Sequence, residues 1–256
     1  MKLFAAAVLC PWGAGMAIFA LIVRRWKAVK PSFYGTLTAS AGVVIGATVL
    51  TSSQLPDVSV LHQRIWLGSS LVSAGVLAMA GLAYWFDRQV PVRFSDVAAF
   101  AGSFASAVSC VAAGAAQTPP DLGVARALSA LAFLGSVTAT MVLGHWFLVD
   151  PKLDRSAIYS LGVVFIASLP IEVVSLILKP GMLDVSQAPL AGISGYLRLF
   201  WYADVLLTVV LGLAVLGALK NRGYPAVMAA TGLSYLAILT AFGVDVIAKA
   251  MIGGVI

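Results

Sequence analysis

Eight separate apolar runs dominate this sequence, each close to the ~20 residues that carry an α-helix across a bilayer. They cover approximately residues 3–23, 33–53, 65–86, 97–117, 126–149, 157–178, 197–219 and 225–250. In hydrocarbon every backbone amide must find a partner within the chain, so runs of this length fold as helices. Breaks such as "RRWKAVKPS", "DRQVPVRFSD", "QTPPDLG" and "KNRGYP" carry turn formers and charges. The expected fold is therefore all-α: a polytopic membrane protein of eight transmembrane helices, in a single helical domain over residues 1–256.

Composition agrees. The chain is 61% hydrophobic and 10% charged, against about 25% charged residues in a soluble domain. Membrane lipids are its expected surroundings, and a multi-pass place in a bacterial-type inner membrane its expected location. The net charge of +6 is a matter of topology rather than of nucleic acid. Ten of the sixteen lysines and arginines flank the breaks after helices one, three, five and seven, four of them in the first (Arg24, Arg25, Lys27, Lys30). Basic loops stay on the cytoplasmic side, so both termini are expected outside. The N-terminal run has no small-x-small cleavage site followed by polar chain, and Leu9 before Cys10 makes a poor lipidation box; a retained first helix is expected.

The two cysteines, Cys10 and Cys110, sit inside apolar runs and form no C-x-x-C motif. Their expected role is packing; an intrinsic iron–sulfur cluster, a c-type haem or another metal centre is not expected. Small residues recur every four positions in helix four (Gly102, Ser106, Cys110, Gly114), with Gly42 and Gly46 in helix two. Such faces let helices approach closely in lipid.

Charges inside the membrane are costly and mark function. Helices six to eight each hold one carboxylate: Glu172, Asp204 and Asp245, the last followed by Lys249. At 1.5 Å per residue, Glu172 lies about 22 Å from the inner end of helix six, Asp204 about 10 Å from the outer end of helix seven, and Asp245 about 30 Å along helix eight. All three fall in the outer half, with Lys249 and, at the outer ends, His62 and Arg64. Pro170 removes a backbone hydrogen bond and frees a carbonyl near residue 166, beside Glu172. The structural alternatives are an i, i+4 ion pair for Asp245 and Lys249, and a pairing of Asp204 with Arg198 or Lys249. His145, in "MVLGHWFLVDPKLDR", belongs to the inner end; it is a secondary candidate, with bonding to Asp150 or lipid head groups as its structural alternative. His62 and His145 lie at opposite faces, so a haem held by both histidines of one chain is excluded, although haem held with a ligand from another subunit is not.

"WYADVLLT" and "DVIAK" are similar to pieces of microbial rhodopsins, with Asp204 and Lys249 matching by type. Those helices are separated by three others in rhodopsins and are adjacent here, which sets that likeness aside. Eight helices, external termini, no cysteine ligands, and a glycine-rich end "FGVDVIAKAMIGGVI" with Lys249 among Gly243, Gly253 and Gly254 resemble the quinol-interacting membrane anchors of the NrfD and DMSO-reductase type. The resemblance implies a quinone as cofactor, an electron-transfer partner subunit, and carboxylates and a histidine near the outer face that take protons from the quinol. Glu172 and Asp204 are the candidates for proton transfer, and His62, Asp245 and Lys249 for quinone binding. A proton-coupled transporter using Glu172 and Asp204, or a non-catalytic assembly subunit, are the alternative readings.

Overall fold

The computed structural model describes residues 4–26, 29–50, 60–85, 92–117, 119–150, 153, 155–178, 191–221 and 223–252. These contain eight helices and, among the described residues, no strand: α1 Phe4–Arg25, α2 Pro31–Leu50, α3 Val60–Trp85, α4 Val92–Ala115, α5 Pro120–Val149, α6 Arg155–Ile177, α7 Ala191–Lys220 and α8 Tyr224–Ile252. All eight are long and apolar enough to cross a membrane. The break between α6 and α7, where a short interfacial segment would fit, falls largely outside the described residues.

The helices run alternately up and down. α1 starts and α8 ends at one face of the bundle, here called the terminal face. The other, basic face carries the breaks after α1, α3, α5 and α7. Packing divides the bundle into two rings. α1 meets α2, α2 meets α3, α3 meets α4, and α4 returns to α1. α5 meets α6, α6 meets α7, α7 meets α8, and α8 returns to α5. The rings join mainly through α1 and α4 against α5, with a lighter contact of α1 on α8.

The α1–α5 crossing is a backbone contact. A Cβ at Gly135 would sit 2.5 Å from the Cα of Gly15, and one at Gly15 would sit 2.7 Å from the Cα of Gly135. Only glycine fits there, and close approach is what holds helices together in lipid. The small faces of α2 and α4 pack in the same way: a Cβ at Gly42 would lie 3.0 Å from the Ala74 carbonyl oxygen, and one at Gly102 would lie 2.7 Å from Leu77. Beside the α1–α5 crossing, Trp12 donates its indole N–H to the Thr138 hydroxyl (3.0 Å) and meets Phe242 of α8 edge-on.

Candidate functional site: a buried charge cluster

α5, α6 and α8 bring four charged side chains into the protein interior in the terminal half of the bundle. Glu172 and Asp245 are fully enclosed, and Arg126 and Lys249 nearly so. Asp245, Lys249, Ser129 and Arg126 lie within electrostatic reach of the Glu172 carboxyl. Neither Glu172 oxygen has a partner aligned for a hydrogen bond among the described residues.

Asp245 and Lys249 form the expected i, i+4 pair, Oδ1 to Nζ 2.6 Å. The pair is interior rather than interfacial. The Lys249 ammonium also donates to the Ala7 carbonyl of α1 at 2.7 Å. That carbonyl is available for a local reason. Ala7 is four residues before Pro11, which has no N–H to offer it. Lys249 thus takes the place of a missing helical donor and ties α8 to α1.

Arg126 reaches across from α5 to the end of α6. Its Nε donates to the Ser175 carbonyl and its Nη2 to the Leu178 carbonyl, both at 3.0 Å. It caps carbonyls that the helix leaves without donors. Ser129 and Ser175 share a hydrogen bond of 2.9 Å between the same two helices. The fifth apolar run, 126–149, places Arg126 at the very start of its helix. The helix begins earlier, at Pro120, after the extended Pro119. Arg126 is therefore nearly two turns inside.

A second, uncharged polar group continues from this cluster into the first ring. The Cys10 thiol lies within electrostatic reach of Lys249. Trp66 donates to Cys10 Sγ at 3.3 Å, Cys10 lies 3.6 Å from the Ser109 hydroxyl, and Ser109 is hydrogen-bonded to Ser70 at 2.6 Å. Both cysteines are free thiols in the interior.

The other expected site residues are distributed differently. Asp204 is not among the groups facing Glu172. Its carboxyl lies against Gly243, where an added Cβ would meet Cγ at 2.8 Å. Gly243 and Asp245 are two residues apart, roughly 200° around the helix. Asp204 therefore sits half-buried on the α7–α8 seam, on the far side of α8 from the cluster. Lys249 is engaged by Asp245 and Ala7, and so is not the partner of Asp204. His62 belongs to the first turn of α3, and its side chain lies outside the described residues. His145 is exposed near the basic end of α5, with Nδ1 3.3 Å from the Tyr235 hydroxyl. Tyr235 is its partner rather than Asp150, which pairs with Lys30 at 2.7 Å.

Chemically, the cluster can hold and exchange a proton. It combines an enclosed carboxyl without aligned partners, a neighbouring carboxylate held by an ammonium, and a fixed guanidinium. Among the described residues, no three histidine, cysteine, aspartate or glutamate side chains converge on a metal-sized site. No protein-family model, curated protein or solved structure matches this chain, so its functional reading rests on the chemistry of this cluster.

Proposed function

We propose that the chain is an integral membrane subunit of a redox complex, in which Glu172 exchanges protons with a quinol in the terminal half of the bundle. The observation that carries this reading is an enclosed carboxyl, free of aligned hydrogen bonds, beside the Asp245–Lys249 pair. Oxidation of a quinol to a quinone releases two protons and two electrons. Glu172 takes one proton, and the Asp245–Lys249 pair supplies the second acid–base couple. The electrons pass to a partner subunit. Asp204, half-buried at the α7–α8 seam on the far side of α8 from the cluster, is a separate candidate for contact with a lipid-soluble head group, with His62 at the same end of the bundle.

The test is Glu172→Gln, which keeps size and polarity but cannot take a proton. The variant should co-purify with its partners at the wild-type level and lose turnover of an added quinol analogue by roughly 10²–10⁴-fold, as when acid–base help is removed. Full turnover in an assembled Glu172→Gln complex removes the reason to prefer a redox site over an assembly subunit.

A proton-coupled transporter is the second reading, favoured by the enclosure of Glu172 and Asp245. A coupling site shut off from its surroundings suits alternating access between helical repeats. Under that reading Glu172→Gln abolishes proton-coupled uptake in vesicles, and the wild type has no quinol activity to lose.

The basic face is proposed as cytoplasmic, with both termini outside a bacterial-type inner membrane, because ten of sixteen lysines and arginines gather there. A cysteine placed at Lys220 should react with a membrane-impermeant reagent only from the cytoplasmic side. Labelling from the outer side of intact cells would invert the map.

A further inference from the structure

We propose that a groove between α1, α2 and α4 at the basic face binds one anionic phospholipid of the adjoining leaflet, its head group held by Arg25 and Tyr34. This site is independent of the Glu172 cluster, which lies in the opposite half of the bundle. The groove has a volume of about 890 Å³, within the roughly 300–1,000 Å³ typical of ligand pockets. Its long wall is apolar: Ile18, Leu21 and Ile22 of α1 face Phe100 and Phe104 of α4. Both phenylalanines are 66% exposed, so this wall opens sideways to the bilayer. From Ile18 to Arg25 the wall runs about 10 Å along the helix, a length that suits the upper part of an acyl chain.

The closed end is polar, and its charges are unequal. Arg24 is ion-paired with Asp96 and lies over the Tyr34 and Tyr84 rings, 5.4 and 4.7 Å from their centroids. Tyr84 donates to the same Asp96 carboxylate at 2.8 Å. Asp96 is the only carboxylate among the described residues that line the groove, and its Oδ1 takes both contacts. Arg25 is exposed and has no carboxylate partner among the described residues, which leaves the groove one positive charge in excess.

Tyr34 is the second, independent pointer to a ligand. It lines the groove and is only 3% exposed, yet its hydroxyl has no partner in hydrogen-bond geometry among the described residues, the Val29 backbone being close to it. A buried hydroxyl without a partner is costly, and a phosphate oxygen would accept from it. The N-terminus of α2 at Pro31 closes the same end and favours negative charge. A zwitterionic head group would need an acidic partner for its amine, and the one carboxylate among the described lining residues, Asp96, is already ion-paired with Arg24. A small soluble anion would leave the apolar wall unused.

The test uses the full-length protein, delipidated in detergent, with binding read by native mass spectrometry and by thermal shift. Phosphatidylglycerol should bind and stabilise the wild type, while phosphatidylcholine of the same chains binds at least about tenfold more weakly, the order expected for loss of a charge-assisted hydrogen bond. Arg25→Gln and Tyr34→Phe should each erase most of that difference. Tyr34→Phe changes no charge, so its effect cannot be general attraction to an anionic surface. Arg64→Gln, at the other face, should keep the preference. Equal binding of the two lipids, or an undiminished preference in both groove variants, overturns the proposal. Glycerol phosphate binding as tightly as phosphatidylglycerol overturns it in favour of a soluble-anion site.

Discussion

At the scale of single residues, the central fact is a set of enclosed ionisable side chains: Arg126, Glu172 and the Asp245–Lys249 pair. Removing one member of a buried pair leaves an uncompensated charge, whereas replacing both often costs little. Lys249→Met should therefore lower stability by about 3–5 kcal/mol, adding loss of the bond to the Ala7 carbonyl. The double variant Asp245→Asn with Lys249→Met removes both members of the pair and should unfold at a higher temperature in detergent than Lys249→Met alone. A double variant no more stable than the single one would mean that packing, not charge, makes the pair matter. Glu172, Asp245 and Lys249 are legible in the sequence because an ionisable residue in an apolar run is visible by inspection. Asp204 falls at the same level in the sequence because distance along a helix gives depth. Direction around the helix is different: the neighbours of α8 decide it, and those are tertiary facts. Arg126 and the Ala7 carbonyl were missed for related reasons. A charge near the edge of an apolar run reads as its end, and the only trace of the carbonyl's need is Pro11, four residues downstream.

At the scale of elements, all eight helices were legible because membrane-length apolar runs leave the backbone no other way to satisfy its amides. Their ends were less so. α5 begins at Pro120 rather than near Arg126, and α7 at Ala191 rather than near residue 197. Polar residues end an apolar window without ending a helix, since the first turns can project beyond the hydrocarbon or, as with Arg126, turn inward. Which glycines are indispensable also depends on the neighbours. Gly135 meets the backbone of α1, while a Cβ at Gly217 would meet nothing within 4 Å. Gly135→Ala must push two helices apart and should cost about 1–3 kcal/mol or more. Gly217→Ala gains helix propensity, up to about 1 kcal/mol. Thermal unfolding of the two variants checks this contrast, and similar melting temperatures would mean that the α1–α5 crossing is looser than drawn.

At the scale of the whole molecule, consecutive helices pack into two sets of four, α1–α4 and α5–α8, joined across a broad α1–α5 contact. The sequence permits four plus four helices but offers no internal similarity that would reveal the division; only the pattern of packing does. Each ring encloses polar groups in its terminal half. In the first they are uncharged (Cys10, Ser70, Ser109), and in the second they are the charge cluster. The rings are locked together where those contents meet, by Lys249 on Ala7, Trp12 on Thr138 and the Gly15–Gly135 contact. Helices that are stable one by one in lipid assemble through such pre-formed faces, so a cut between the rings should be tolerated better than a cut within one. Two fragments divided at residue 118, between α4 and α5, should co-purify when co-expressed, because each closes its own ring and keeps an intact face for the other. Fragments divided within residues 51–59 should co-purify less, because that cut opens the first ring at the extensive α2–α3 seam. The two yields, measured after tagging one fragment of each pair, decide between two rings and one. Equal recovery, or better recovery from the cut at 51–59, would show that the eight helices assemble as a single unit.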